Sequence, residues 1–149
     1  MATHQSDLTV WSDFKTTFEP LLSTSAEAKI ASVLEANPAL EKNDSDLEDF
    51  QTYWDDAHDL MKSLFETSTD VVFSIANWKI LLQKAKDNFE RSIFHMSNSS
   101  PENAALFMNS LVSHVRKLVE KFKTHQSLPV TKGTLPFFRC IMLYIYFAF

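Results

Sequence analysis

Residues 70–96 read DVVFSIANWKILLQKAKDNFERSIFHM, and their pattern decides the fold class. From Val71 to Leu82 the stretch is apolar on nearly every side, and a helix hydrophobic all round has to be covered by neighbours all round. Past Leu82 the apolar positions narrow to one stripe, Leu82, Ala85, Phe89, Ile93 and Met96, while Gln83, Lys84, Lys86, Asp87, Glu90 and Arg91 take the wet side. The stretch is expected to form the central helix of a bundle, with its C-terminal end reaching the surface.

The composition agrees with an all-α chain. Gly133 is the only glycine among 149 residues. Tight two-residue hairpins, Walker phosphate loops, dinucleotide-binding turns and standard calcium loops all rely on glycine, and a helical fold needs it least. A content of 45% apolar and 22% charged residues is ordinary for a globular protein, and the length suits one domain. The formal charge of −5 gives no general attraction to nucleic acid. Cys140 is the only cysteine, so neither an intrachain disulfide nor a cysteine-based zinc site can form. The N-terminal MATHQSDLTVW has no basic region followed by an apolar run, so it is not a secretory signal, and an intracellular, cytoplasmic protein is expected.

Four further helices flank the central one. Residues 1–6 are polar and expected to be disordered and frayed. Trp11, Phe14, Phe18 and Leu21 mark a first helix from Leu8 to about Leu22, with Pro20 expected to stop it near Phe18 or bend it. Thr24 and Glu27 fit a capping box for a short second helix, Ser25 to Ala36, which Asn37-Pro38 terminates. Ser45 and Glu48 fit another box, and behind it Leu47, Phe50, Trp54, Ala57, Met61 and Leu64 alternate spacings of three and four. The capping residues Thr67 to Asp70 separate that helix from the central one. Ser100-Pro101 opens the last helix, which runs to about His125 on the stripe Ala104, Met108, Leu111, Val115, Leu118 and Phe122.

The tail differs from everything before it. Residues 135–149 read LPFFRCIMLYIYFAF, and the uninterrupted apolar run, Cys140 to Phe149, is too short to span a bilayer as a helix. Three readings stay open for residues 127–149. The segment packs on the bundle, dips into a membrane as a short anchor, or is non-native read-through of an intron, since Lys132-Gly133-Thr134 can be encoded across a splice donor. Under the last reading the chain is the truncated N-terminal part of a longer eukaryotic protein.

Few side chains suggest chemistry. Asp55, His58 and Asp59 share one helical face and could converge on a metal, but a solvated acidic face explains them, because the second Glu-x-x-His helix of a di-iron bundle is missing. His95, His114 and His125 each stand alone, without a catalytic serine or cysteine context. Asn98-Ser99-Ser100 matches a glycosylation acceptor but reads better as a helix stop followed by a cap. Arg116, Lys117, Lys121 and Lys123 form a basic face on the last helix, where solvation or orientation against the acidic helix is the simpler account. Trp11, Trp54 and Trp78 fall on core stripes, and an apolar cavity lined by Trp78, Phe73 and Phe89 is the ligand-binding alternative.

The expected architecture is an all-α antiparallel bundle of four to five helices, over residues 7–126, with the 70–96 helix central. The expected role is a non-enzymatic helical protein-interaction module that offers a helix face or groove to a partner helix or peptide. No catalytic, cofactor-binding or metal residues are assigned. Two alternatives are a lipid- or membrane-associated bundle acting through the tail, and a small-ligand carrier or enzyme with a pocket at the central helix.

Overall fold

The computed structural model describes residues 2–37, 44–98 and 100–127, and every regular element among them is a helix. They are α1 (Ala2–Ser23), α2 (Ala26–Ala36), α3 (Asp44–Phe65), α4 (Thr69–Ser74), α5 (Trp78–Ser97) and α6 (Pro101–Ser127). The all-α helical bundle read from the sequence is the observed fold. The tail from residue 128 onward, with Cys140, lies outside the described residues.

The long helices pack as a ring of four. The main contacts run from α1 to α3, from α3 to α6, from α6 to α5, and from α5 back to α1. Chain directions follow from side-chain pairs. The Trp11 and Phe65 rings lie 6.0 Å apart, while Trp54 Nε1 donates to the Thr24 carbonyl at 3.0 Å, so α1 and α3 are antiparallel. Lys79 Nζ meets Asp7 Oδ1 at 2.8 Å and the Phe18 ring meets Phe89 at 4.8 Å, so α1 and α5 run the same way. Ser92 Oγ donates to the Ala104 carbonyl at 2.8 Å, and His114 Nε2 lies 2.9 Å from the Leu81 carbonyl, so α5 and α6 are antiparallel. The two best-patterned helices, α3 and α6, are therefore parallel neighbours. Short α2 lies against α3, and short α4 sits against α5 and α6.

The predicted stripes form the core. On α3, Leu47, Phe50, Trp54, Ala57, Met61 and Leu64 are all buried, and on α6 so are Ala104, Met108, Leu111, Val115, Leu118 and Phe122. Trp11, Phe14, Phe18 and Leu21 bury the inner face of α1. At the seam between α5 and α6, Ala85, Ser92, Ala104 and Ala105 are small and buried. Small side chains let two helix backbones approach closely, and the Ser92 hydroxyl is satisfied by the carbonyl it reaches.

The continuous 70–96 helix is corrected. The chain leaves the helix at Ile75, which is extended at φ −83° and ψ 126°, and re-enters after Asn77, which is left-handed at φ 63° and ψ 20°. Helical spacing supplies a physical reason. On an unbroken helix Val72 would stand about a third of a turn round the axis from the stripe Trp78, Leu82, Ala85 and Phe89, so the break lets Val72 face the core as well. One left-handed residue costs about 1–2 kcal/mol, and asparagine tolerates that conformation better than most. With the break, Val72, Ile75, Trp78 and Leu82 are buried while Lys79 is half exposed and ion-paired with Asp7. The all-round apolar look of Val71 to Leu82 belongs to two helices, and Ile80, 57% exposed, faces outward.

Smaller departures follow the same logic. Helix α1 includes residues 2–6, where fraying was expected; its first turns are tied to α5 through Asp7 and carry the Thr9 hydroxyl bonded to the Gln5 carbonyl. It also continues through Pro20 to Ser23. Pro20 and Thr16 are both exposed, so water can satisfy the carbonyl that proline leaves unbonded, while Phe18 and Leu21 stay fully buried. The cap of α2 is Ser25, whose hydroxyl accepts from the Ala28 N–H at 3.1 Å, and not Thr24, whose carbonyl is taken by Trp54. Ser45 lies inside the first turn of α3, which begins at Asp44. Ser68 caps α4 through the Val71 N–H, and α6 begins at Pro101 after Ser100, as the sequence implied.

Asn77→Ala is expected to lower stability by about 1 kcal/mol, with Asn77→Gly near neutral, in urea denaturation. A continuous helix would give the opposite sign, because alanine is the better helix former. Leu111→Ala, in the fully buried α6 stripe, is expected to cost about 2–5 kcal/mol in the same measurement.

Candidate functional site

The break after Ser74 leaves space beside α6. An open groove of about 640 Å³ lies between the α4–α5 turn and the C-terminal half of α6. Ile75, Leu81 and Leu118 give it apolar walls, and His114, Lys117, Lys121, Thr124 and His125 carry its polar side with one acid, Glu120. Along α6, Lys117, Lys121 and His125 follow one another at spacings of four, so they form one row, and His114 and Leu118 form the row beside it. Smaller depressions of about 350 Å³ between α2 and α3, and about 340 Å³ where α1, α2 and α5 meet, are less than two thirds as large.

The two histidines of the groove are held by specific partners. A carbonyl can only accept, so His114 Nε2 donates to Leu81 O at 2.9 Å. Ser74 Oγ lies 2.8 Å from both the Val71 carbonyl and His125 Nε2. Its single proton goes to the carbonyl, and His125 Nε2 therefore donates to the hydroxyl oxygen. A nucleophilic serine needs the reverse, with the imidazole taking the hydroxyl proton. The Ser74–His125 contact is a strut between α4 and α6, and in this arrangement each imidazole keeps its Nδ1 edge for other partners.

The lysines are placed differently. Lys117 and Lys121 are exposed, and among the described residues the ion pairs are Lys79–Asp7 and His58–Asp59, neither of which involves them. The acidic helix does pack against the basic one, since α3 neighbours α6, but no ion pair between them appears among the described residues. Asp55, Asp56 and Asp59 are exposed on α3, as are Arg116, Lys117 and Lys121 on α6, and the interface between the helices is filled by their apolar stripes.

The other sequence candidates do not assemble into sites. His58 Nδ1 lies 3.3 Å from Asp59 Oδ1, an exposed pair of adjacent residues, and no group of three metal-ligating side chains occurs among the described residues. His95 stacks on Phe107 with ring centroids 5.3 Å apart, and Arg91 covers the same ring at 5.7 Å. Phe73 packs on Trp78 at 4.8 Å, but Phe89 lies with Phe18 and Trp54, so these three do not line one cavity. Asn98 ends α5, its side chain donating to the Phe94 carbonyl at 2.7 Å. No described helix is long and apolar enough to cross a membrane.

No protein-family model matches the chain, and no curated protein or solved structure matches it either. The sequence pointed to the basic face and, separately, to the apolar run at Ile75 and Leu81. It gave no sign that the two share a groove, because that depends on the break at Asn77.

Lys117 and Lys121 carry little stability in this arrangement. The double variant Lys117→Glu/Lys121→Glu is expected to unfold within about 0.5 kcal/mol of the parent in urea denaturation, with unchanged helical circular dichroism.

Proposed function

We propose that this chain is a non-enzymatic helical interaction module that receives a segment of another protein in the groove between the α4–α5 turn and α6. The supporting observation is the groove itself: apolar walls at Ile75, Leu81 and Leu118 beside an exposed row of Lys117, Lys121 and His125. Leu81, only partly covered above buried Ile75 and Leu118 and flanked by polar groups, offers an anchor point for an apolar side chain of a partner. Helix-in-groove recognition uses these features, with apolar anchors for affinity and flanking charges for orientation.

A non-enzymatic role is supported by how the polar groups are used. The Ser74 hydroxyl proton is committed to Val71, His114 is committed to Leu81, and the ammonium groups stand in solvent. Nothing in that arrangement activates a nucleophile.

Photocrosslinking from defined positions tests this reading. A photoreactive residue replacing Lys117 is expected to capture a discrete protein that the same residue replacing Asp59 on exposed α3 does not. Thr124→Trp, which adds an indole to the groove, is expected to suppress that capture. Equal capture from both positions, or capture indifferent to Thr124→Trp, would overturn the assignment of the groove.

A further inference from the structure

The geometry points to an acidic amphipathic helix as the occupant of this groove, one whose carboxylates recur at every fourth residue and face Lys117 and Lys121. The inference rests on the interaction reading above and names the chemistry of its partner.

Spacing supplies the first argument. Lys117 and Lys121 are separated by four residues, a rise of about 6 Å, and His125 continues the row by the same step. A partner helix laid along α6 has the same rise per residue, so Glu or Asp at i and i+4 meets both lysines in register. Shape supplies the second. The α6 residues that line the groove run from His114 to His125, a rise of about 16 Å. That is roughly three helical turns, so a partner helix of that length can lie beside the row with an apolar side chain on partly covered Leu81.

Charge supplies the third. The chain has a formal charge of −5, yet this row carries Lys117 and Lys121 with Arg116 and Lys123 alongside and Glu120 as the one acid lining the groove. Neither ammonium is paired with a carboxylate among the described residues. A basic partner would meet unpaired like charges here and be repelled by the very groups that attract an acidic one.

Binding by the full chain to three synthetic 18-residue helices tests the inference. Each carries the same leucine stripe, flanked at i, i+4 and i+8 by glutamate in the first, glutamine in the second and lysine in the third. Fluorescence anisotropy is expected to show the glutamate helix binding about two- to thirtyfold tighter than the glutamine helix, since two exposed pairs contribute about 0.2–1 kcal/mol each. That advantage should shrink with added salt. Lys117→Glu/Lys121→Glu should abolish it and bring in the lysine helix instead, and Thr124→Trp should weaken both peptides.

Equal affinity for the glutamate and glutamine helices, both weakened by Thr124→Trp, overturns the acidic partner while leaving the groove as an interaction site. Failure of all three helices to bind, or binding unaffected by Thr124→Trp, overturns the interaction reading as well. So does association with phosphatidylserine–phosphatidylcholine vesicles in place of any peptide, because the occupant would then be a lipid surface.

Discussion

The need to turn Val72 and the α5 stripe toward one core shapes this end of the protein. By helical spacing Val72 falls about a third of a turn away from the face that Trp78, Leu82, Ala85 and Phe89 bury. Turning the backbone at Asn77 lets both segments face inward, and Lys79, at the margin of the α5 stripe, pairs with Asp7 at 2.8 Å. The groove against α6 and the Ser74–His125 strut lie at the same turn.

Packing explains why the bundle tolerates the interruption. Helices α3 and α6 carry unbroken stripes of large side chains, run parallel and bury those stripes against each other. The seam between α5 and α6 includes small buried residues, Ser92, Ala104 and Ala105, where the Ser92 hydroxyl reaches the Ala104 carbonyl in the C-terminal half of α5. With the 70–77 segment turned away from a straight extension of α5, Val72 and Ile75 remain in the core. A local left-handed residue is a small cost beside the burial that α3 and α6 provide, where each large side chain contributes about 1.5–3 kcal/mol.

The parts of this fold legible in the sequence are those where one periodicity holds over many turns. The stripes Leu47 to Leu64 and Ala104 to Phe122 could be read residue by residue because nothing interrupts their spacing and every position is either plainly apolar or plainly polar. Val71 to Leu82 misled for the opposite reason. Apolar residues on every side are compatible with one buried helix or two differently oriented ones, and periodicity alone does not separate them. The signal that does separate them is Asn77, a residue able to turn left-handed inside the apolar run. Caps were legible to within a residue, because Thr24 and Ser25 are chemically alike and are told apart by tertiary structure, with Trp54 on the Thr24 carbonyl and the Ala28 N–H on the Ser25 hydroxyl. The groove was not legible at all, since its two walls come from segments whose relation depends on the break.

That dependence ties the strained turn to the candidate site. Energetically unfavourable backbone persists where surrounding structure fixes it, and such positions concentrate at functional sites. Here the turn accompanies the burial of Val72, so strain by itself says nothing about function. What carries further is its by-product: an indentation that leaves Leu81 only partly covered and sets exposed Lys117 and Lys121 beside it. Had the lysines been paired across to Asp55 or Asp59, the charges would have been spent inside the molecule. The parallel packing of α3 on α6 through apolar stripes directs both sets outward, so the acidic and basic faces stay separate and the basic one remains available along the open groove.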